Sequence, residues 1–325
     1  MDQSNSFFSI LEEDILQSNV NHQLQTLLIQ NLNKLKTTNL NIMIVGATGA
    51  GKSSTINALF NMDMAKVGIG CSPQTASISS YTLHNLTLWD TAGLGDGYAN
   101  DKLHAKAIRN KLNETTADGE LLIDLVLVII DGSTRDLGTS TQLINELVIP
   151  SLGEKSNDRI LVAINQADVA MKGGNAWDRK LNSPTPVSAR FLNEKIASLK
   201  LRVFEATALT IEPIYYVAGY HDGEQQQLPY NLSKLLFLIV GHTPKNKRVI
   251  LADRTLSTKT STWLDDDRLS NYNQRTRDSL WEGIVDSIHN GADLGANIGL
   301  AFGRAGGAIG TLIGGTIGAL RGLFR

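Results

Sequence analysis

The stretch Gly46-Ala-Thr-Gly-Ala-Gly-Lys-Ser53 constrains this chain more than any other. It spells G-x-x-x-x-G-K-[S/T], after the apolar run 39–45 (NLNIMIV) and before 54–60 (STINALF), which reads as the start of a helix. A buried strand, a glycine loop and a helix N-terminus in that order make a phosphate cradle. The glycines let successive N–H groups curl toward an anion, and the helix dipole adds about half a positive charge at that end. Gly46, Thr48, Gly49, Ala50, Gly51, Lys52, Ser53 and Ser54 are the expected lining of the cradle. Lys52 would reach the β- and γ-phosphates, and the Ser53 hydroxyl would ligate Mg²⁺. A glycine-rich turn can also be a plain tight connection. Four specified positions in an eight-residue span, between a strand and a helix, favour a nucleoside triphosphate.

The single cysteine, Cys71, excludes an intrachain disulfide and suits a reducing compartment. The N-terminal residues MDQSNSFFSILEED are acidic and lack the basic and apolar regions of a signal peptide, so a cytoplasmic protein is expected. A net charge of −2 offers no global attraction to nucleic acid or anionic lipid, and there is no direct DNA-binding signal. A length of 325 residues with 42% hydrophobic content leaves ample chain for a core.

Apolar positions spaced by three and four (Phe7, Ile10, Leu11, Ile15, Leu16, then Leu24, Leu27, Leu28, Leu32, Leu35) predict two short amphipathic helices within 1–38. Residues 61–80 read as a flexible loop. Strands at 76–83 and 86–89, separated by His84-Asn85, form a hairpin. Helices are expected at 100–114, 142–147, 188–207 and 232–240, and buried strands at 121–130, 159–164 and 214–217. Strands alternating with helices give an α/β class: a doubly wound, mostly parallel, six-stranded sheet over 39–244. Residues 245–290 read as a charged connecting segment and 291–325 as a glycine-rich helical tail. Right-handed crossovers then gather the strand-end loops on one edge, where ligands bind.

Three further signatures lie in those loops. Asp90-Thr-Ala-Gly93 would hold Asp90 behind Mg²⁺ through water and set the Gly93 N–H by the γ-phosphate. Asp131, before Gly132, is a rival acid better explained as a turn residue. Asn165-Gln-Ala-Asp168 is close to N-K-x-D, with Gln166 in the lysine position. A carboxylate at Asp168 can accept from guanine N1–H and the 2-amino group, a pair that adenine does not present. Ser72-Pro-Gln-Thr75 supplies Thr75 as the switch residue, reaching Mg²⁺ and the γ-phosphate. Val217-Ala-Gly219 ends a strand and offers Ala218 as the last base contact, with Ala206-Thr-Ala208 as a poorer rival.

With these motifs in order, residues 40–243 resemble the bacterial Era-like, translation-factor-class P-loop GTPases, YfjP-type members included. The Pro-Gln-Thr switch and the closing Asn-Leu-Ser-Lys-Leu-Leu helix fit the same group. The resemblance implies a Ras-like sheet with one antiparallel strand, Mg²⁺-dependent hydrolysis of GTP to GDP, and a ribosome as partner. Ras-type proteins orient the attacking water with a Gln after the DxxG glycine. Here Leu94 stands there, as in Era-like proteins, so turnover should be slow unless a partner, a K⁺ ion or a dimer supplies the group.

The tail lies outside the resemblance. Gly291, Gly295, Gly299, Gly303 and Gly307 recur every fourth residue, and the rhythm resumes at Gly310, Gly314, Gly318 and Gly322. Small-xxx-small spacing lets helix backbones approach closely. The uncharged residues between Arg304 and Arg321 would span about 24 Å as a helix, short of a roughly 30 Å hydrocarbon core. A helical hairpin, an interfacial segment, an oligomer seam and a tight soluble pair all stay open. The leading expectation is thus a GTP-hydrolysing switch. Its alternatives are a membrane-associated or self-assembling module, peripheral at the inner face of a membrane, and a ribosome-associated factor. Catalysis is expected to rest on Lys52, Thr75 and Gly93, and the metal on Ser53, Thr75 and Asp90. Lys52→Ala should abolish GTP binding in titration calorimetry while leaving the fold intact; wild-type affinity would overturn the phosphate-cradle assignment.

Overall fold

The computed structural model describes residues 7–289 except 65, 70–77, 96, 136, 154–155, 174–175, 223–224, 254, 260–261 and 265–266. Thr75 and the glycine-rich segment 291–325 lie outside the described residues.

The chain opens with helices α1 (Phe7–Gln17) and α2 (His22–Thr37), as the apolar spacing required. Asn21 caps α2 by accepting the Leu24 N–H at 2.9 Å. Strand β1 (Leu40–Gly46) runs into the glycine loop and helix α3 (Lys52–Leu59). Next come β2 (Lys66–Ile69) and the hairpin β3 (Ile78–Leu83) and β4 (Leu86–Thr91). His84 takes φ 51° at its turn. Helix α4 (Tyr98–Leu112) leads to β5 (Leu125–Asp131). A continuous helical stretch follows: α5 (Gly138–Gln142), a π-turn (Leu143–Val148) and α6 (Ile149–Leu152). Pro150 explains the π-turn, since its ring crowds the carbonyl four residues back and it has no N–H to give. The wider turn, with Ile149 N–H on Ile144 O, relieves the crowding.

Helix α7 (Ser156–Arg159) precedes β6 (Ile160–Asn165). The short hairpin β7 (Trp177–Asp178) and β8 (Ser183–Pro184) then gives way to α8 (Pro186–Thr207). Strand β9 (Ile214–Tyr215) is followed by a second small hairpin, β10 (Tyr220–Asp222) and β11 (Gln225–Gln227), and by α9 (Leu232–His242). A 3₁₀-helix (Lys245–Ala252) and α10 (Tyr272–His289) complete the described chain.

The sheet order is β2-β3-β4-β1-β5-β6-β9, and β3 alone runs against the rest. The six expected strands are all present. The seventh, β2, falls in the stretch expected to be loop. At four residues it is too short to stand out in the sequence, and pairing with β3 makes it a strand. Alternation along the buried strands splits the core. Leu40, Ile42 and Ile44 of β1 and Leu125, Leu127 and Ile129 of β5 face α1, α2, α3, α9 and α10. Met43 and Val45, with Val126, Val128 and Ile130, face α4, α8 and the helical stretch at 138–152. The sheet is doubly wound, and β1, β4, β5 and β6 deliver their functional loops to one edge.

The stretch read as a charged connector is folded. Arg248 is buried and donates to Thr243 O, Gly241 O and Ser279 Oγ, so one cation closes the C-terminus of α9 and ties it to α10. Leu280 and Ile284, four apart on α10, are fully buried in the same cluster as α1 and α2. The Phe7 N–H donates to Asp253 Oδ1 at 2.9 Å, tying the start of α1 to the end of the 3₁₀-helix. A strap at 255–257 pairs with the end of α3: Asn61 N–H donates to Thr255 O at 2.8 Å and Ser257 N–H to Leu59 O at 2.9 Å. Leu280→Ala should therefore lower the unfolding free energy by about 2–5 kcal/mol in urea titration. An unshifted midpoint would show that α10 is not part of the cooperative unit.

Candidate functional site

At the end of β1 the chain wraps into the cradle read from the sequence. Gly51 has φ 85°, and a Cβ there would lie 2.2 Å from the Asn165 amide nitrogen. Glycine is needed on both counts. Lys52 opens α3 with its ammonium on Gly46 O at 3.2 Å and Ala47 O at 3.0 Å. It is buried. Lys52 therefore shapes the loop as well as facing it, which the sequence did not reveal. Ser53 and Ser54 lie exposed on the first turn of α3, beside the exposed Thr48 and Gly49, while Ala50 is buried.

The Ser53 hydroxyl donates to Asp90 Oδ2 at 2.8 Å, bringing the expected metal pair together from β4 and α3. Asp90 Oδ1 is sealed from solvent and meets no hydrogen-bond donor among the described residues. Burial pushes the Asp90 carboxyl above its ordinary range, against the opposing pull of the Ser53 bond and the Lys52 charge. A hydroxyl and a carboxylate with an orphaned buried oxygen fit Mg²⁺, a hard cation that takes much of its shell from phosphates and water. Among the described residues no group of three or more His, Cys, Asp or Glu could hold a metal alone.

The loop after Asp90 lies over the cradle. Thr48 N–H donates to Leu94 O at 2.9 Å and Leu94 N–H to Gly46 O at 3.4 Å. Helix α4 holds the loop from outside, with the Gly95 N–H on Asp101 Oδ1 at 2.8 Å and His104 Nδ1 3.2 Å from Gly93 O. Both α4 residues went unnoticed in the sequence, because neither belongs to a motif and their partners are backbone groups.

Asn165 closes β6 almost wholly buried. Its amide donates to Ala50 O at 3.0 Å, and its Oδ1 accepts the Ala218 N–H at 3.0 Å. Gln166, at φ 59°, donates to Gly49 O at 2.7 Å and so ties itself to the cradle without the lysine charge. Asp168 sits in a 3₁₀ turn (Ala167–Val169); burial pushes its carboxyl up, while the N–H groups of Asp168 and Val169 pull it back. The Ala218 N–H, expected to meet a base, is committed to Asn165, so Ala218 holds its loop. The rival Ala208 is the left-handed cap of α8. Asp131 Oδ1 accepts the Ser133 N–H at 2.8 Å, a turn role as expected. A missed residue is Tyr216, fully buried, whose hydroxyl lies 2.6 Å from Thr55 Oγ1 on α3. Burial pushes that phenol far up, with the Thr55 bond opposing. It ties the loop after β9 to the cradle helix.

The sign of the Asp90 shift has a consequence. A carboxyl whose folded pKa lies above its unfolded one adds stability only at low pH, and that contribution is lost as pH rises through the folded value. Above that folded value an ionised Asp90 weakens the fold until a cation meets it. Asp90→Asn should raise the thermal midpoint at pH 7 in chelator and remove the gain in nucleotide affinity that Mg²⁺ confers. An unchanged midpoint with a normal Mg²⁺ response would take Asp90 out of the metal site.

Residues 41–166 match the family described as "50S ribosome-binding GTPase". Two proteins of Escherichia coli (strain K12) are each similar over a little under half of the chain. "Uncharacterized protein YfjP" is 30% identical over 154 residues, covering 46% of this chain and 49% of the relative. "Uncharacterized protein YkfA" is 30% identical over 146 residues, covering 44% and 47%. The chain thus spans about half the length of the curated relatives it matches. Among solved structures, Toc33 from Arabidopsis thaliana in complex with Mg²⁺ and GMPPNP is 18% identical, with a TM-score of 0.35 over 63% of this chain and 82% of Toc33. The LeoA bacterial dynamin GTPase from ETEC is 14% identical, with a TM-score of 0.43 over 93% of this chain and 46% of LeoA. With the cradle, the DxxG loop and the Asn165 bridge in place, the family match identifies this part of the chain as a P-loop GTPase domain.

Proposed function

We propose that the chain is a Mg²⁺-dependent molecular switch of the Era-like group that binds GTP and hydrolyses it slowly on its own. The observation that carries this reading is the Asn165 side chain, which joins the phosphate cradle to the loop after β9. Base and phosphates would then be read by one rigid body. Lys52 would balance the β- and γ-phosphate charge, and Ser53 and Asp90 would hold Mg²⁺, which when bound neutralises charge developing on the phosphates. Thr75 is assigned as the switch residue and Gly93 as the γ-phosphate sensor. Asp168 would accept from guanine N1–H and the 2-amino group. Because the Ala218 N–H is taken, the base-facing donor of that loop is assigned to Gly219.

Leu94 offers no group to orient water, so full turnover would need a partner, K⁺ or a second copy. A ribosome is favoured as partner by the description of the matching family. The second reading gives the output to the glycine repeat at 291–325, through lipid or self-association. The lipid contact proposed is peripheral and the protein cytoplasmic; among the described residues no helix is long and apolar enough to cross a membrane. Sedimentation with 50S subunits and flotation with liposomes, each in GTP-analogue and GDP states, separate the two.

Asp168→Asn should weaken GTP by at least about a hundredfold and favour xanthosine triphosphate, whose 2-oxo group accepts where guanine's 2-amino group donates. Overlapping titrations of GTP on the two proteins would mean that Asp168 does not read the base.

A further inference from the structure

Both loops assigned to the base run directly into small hairpins. The turn holding Asp168 is followed by β7–β8, and the Ala218-Gly219 loop by β10–β11. One side chain connects the two hairpins. Asn182 stands in the turn before β8 with φ 47°, a left-handed conformation that Asn tolerates. Its Oδ1 accepts from Gln227 Nε2 at 2.8 Å and from Trp177 Nε1 at 3.3 Å, and its Nδ2 donates to Pro229 O at 2.8 Å. The amide is thus satisfied across two hairpins, not within one.

The residues it holds are those on which Gly219 rests. Gly219 has φ 83°, and a Cβ there would lie 3.0 Å from Gln227 O and 3.1 Å from the Pro229 ring. Trp177 also packs edge-on against Tyr230 at 5.1 Å. Tyr230 in turn exchanges two backbone hydrogen bonds with Val217, at 3.0 and 2.9 Å, closing the neck of the Ala218-Gly219 loop. A turn asparagine often serves only its own turn. Here it reaches Gln227 and Pro229, more than forty residues away in sequence.

We infer that Asn182 is a positioning residue for base recognition, fixing the Gly219 backbone relative to the Asp168 turn so that the two loops meet one base. The inference rests on the guanine reading proposed above. It also predicts which part of the nucleotide is affected: the phosphates, held by 46–53, lie outside the reach of these contacts, whereas the base does not.

Asn182→Gly keeps the left-handed backbone and removes the amide. Calorimetric titration with GDP and, separately, with inorganic pyrophosphate, both with Mg²⁺, would be run on the full chain beside Asp168→Ala. Asn182→Gly should weaken GDP about tenfold, as for the loss of a positioned polar contact, and leave pyrophosphate affinity unchanged. Equal losses for GDP and pyrophosphate, or no loss for GDP, would overturn the inference. Should Asn182→Gly fail to fold, Gln227→Ala removes one partner of the same amide and should give a smaller loss confined to GDP; a loss shared with pyrophosphate, or none, counts against the inference. If Asp168→Ala binds GDP like the wild type, the guanine reading itself fails, and that result is independent of Asn182.

Discussion

A buried amide at the end of β6 sets the geometry of everything around it. Asn165 donates through Nδ2 to the cradle at Ala50 O and accepts at Oδ1 from the Ala218 N–H in the loop after β9, and it is almost wholly shielded from water. An unpaired amide in such a place would cost about 1–3 kcal/mol per orphaned group, so the two loops are held to it and thus to each other. Gly51 must lack a side chain to let the amide in. Tyr216 repeats the tie one layer deeper, hydroxyl to hydroxyl with Thr55. The cradle is therefore not a free loop at a strand end. It is pinned from β6 and β9 by the protein's own groups, and such preorganisation is what phosphoryl chemistry relies on.

Around this core the sheet serves as a frame. Parallel β1, β4, β5 and β6 aim their C-terminal ends at one edge, and the alternation of Leu and Ile against Met and Val fixes which helices cover each face. On one face the cover comes from both ends of the described chain. The strap at 255–257 docks on the end of α3, the helix that begins at the cradle. A displacement of α3 would therefore be felt by the segment leading to α10, through paired backbone groups and without a hinge between them.

Much of this was legible in the sequence. Glycine loop, DxxG and N-Q-x-D each carry residue types whose chemistry demands a particular neighbourhood, and the buried strands announced themselves as unbroken apolar runs. What escaped was whatever depends on backbone partners or on distant pairing. Strand β2 exists because β3 offers it an edge. Asp101 and His104 matter through the N–H and C=O of two glycines. The 245–290 stretch looked like a connector because its charges outnumber its apolar residues, yet Arg248 is buried and meets four oxygen partners that no local pattern reveals. That the Ala218 N–H is bonded to Asn165 is likewise visible only in the coordinates, because the two residues lie 53 apart in sequence.

The bond from the Phe7 N–H to Asp253 also bears on how this protein is inherited. The family match stops at 166, inside the sheet, and the motif-bearing stretch begins at 40, after the first two helices. Neither is a natural seam. A fragment cut at those points would bare Leu40, Ile42, Ile44, Leu125 and Leu127, an apolar strip that α2, α9 and α10 cover in the intact chain. Recombination that exchanged the nucleotide-binding stretch as a cassette would leave this strip uncovered unless the flanking helices came with it.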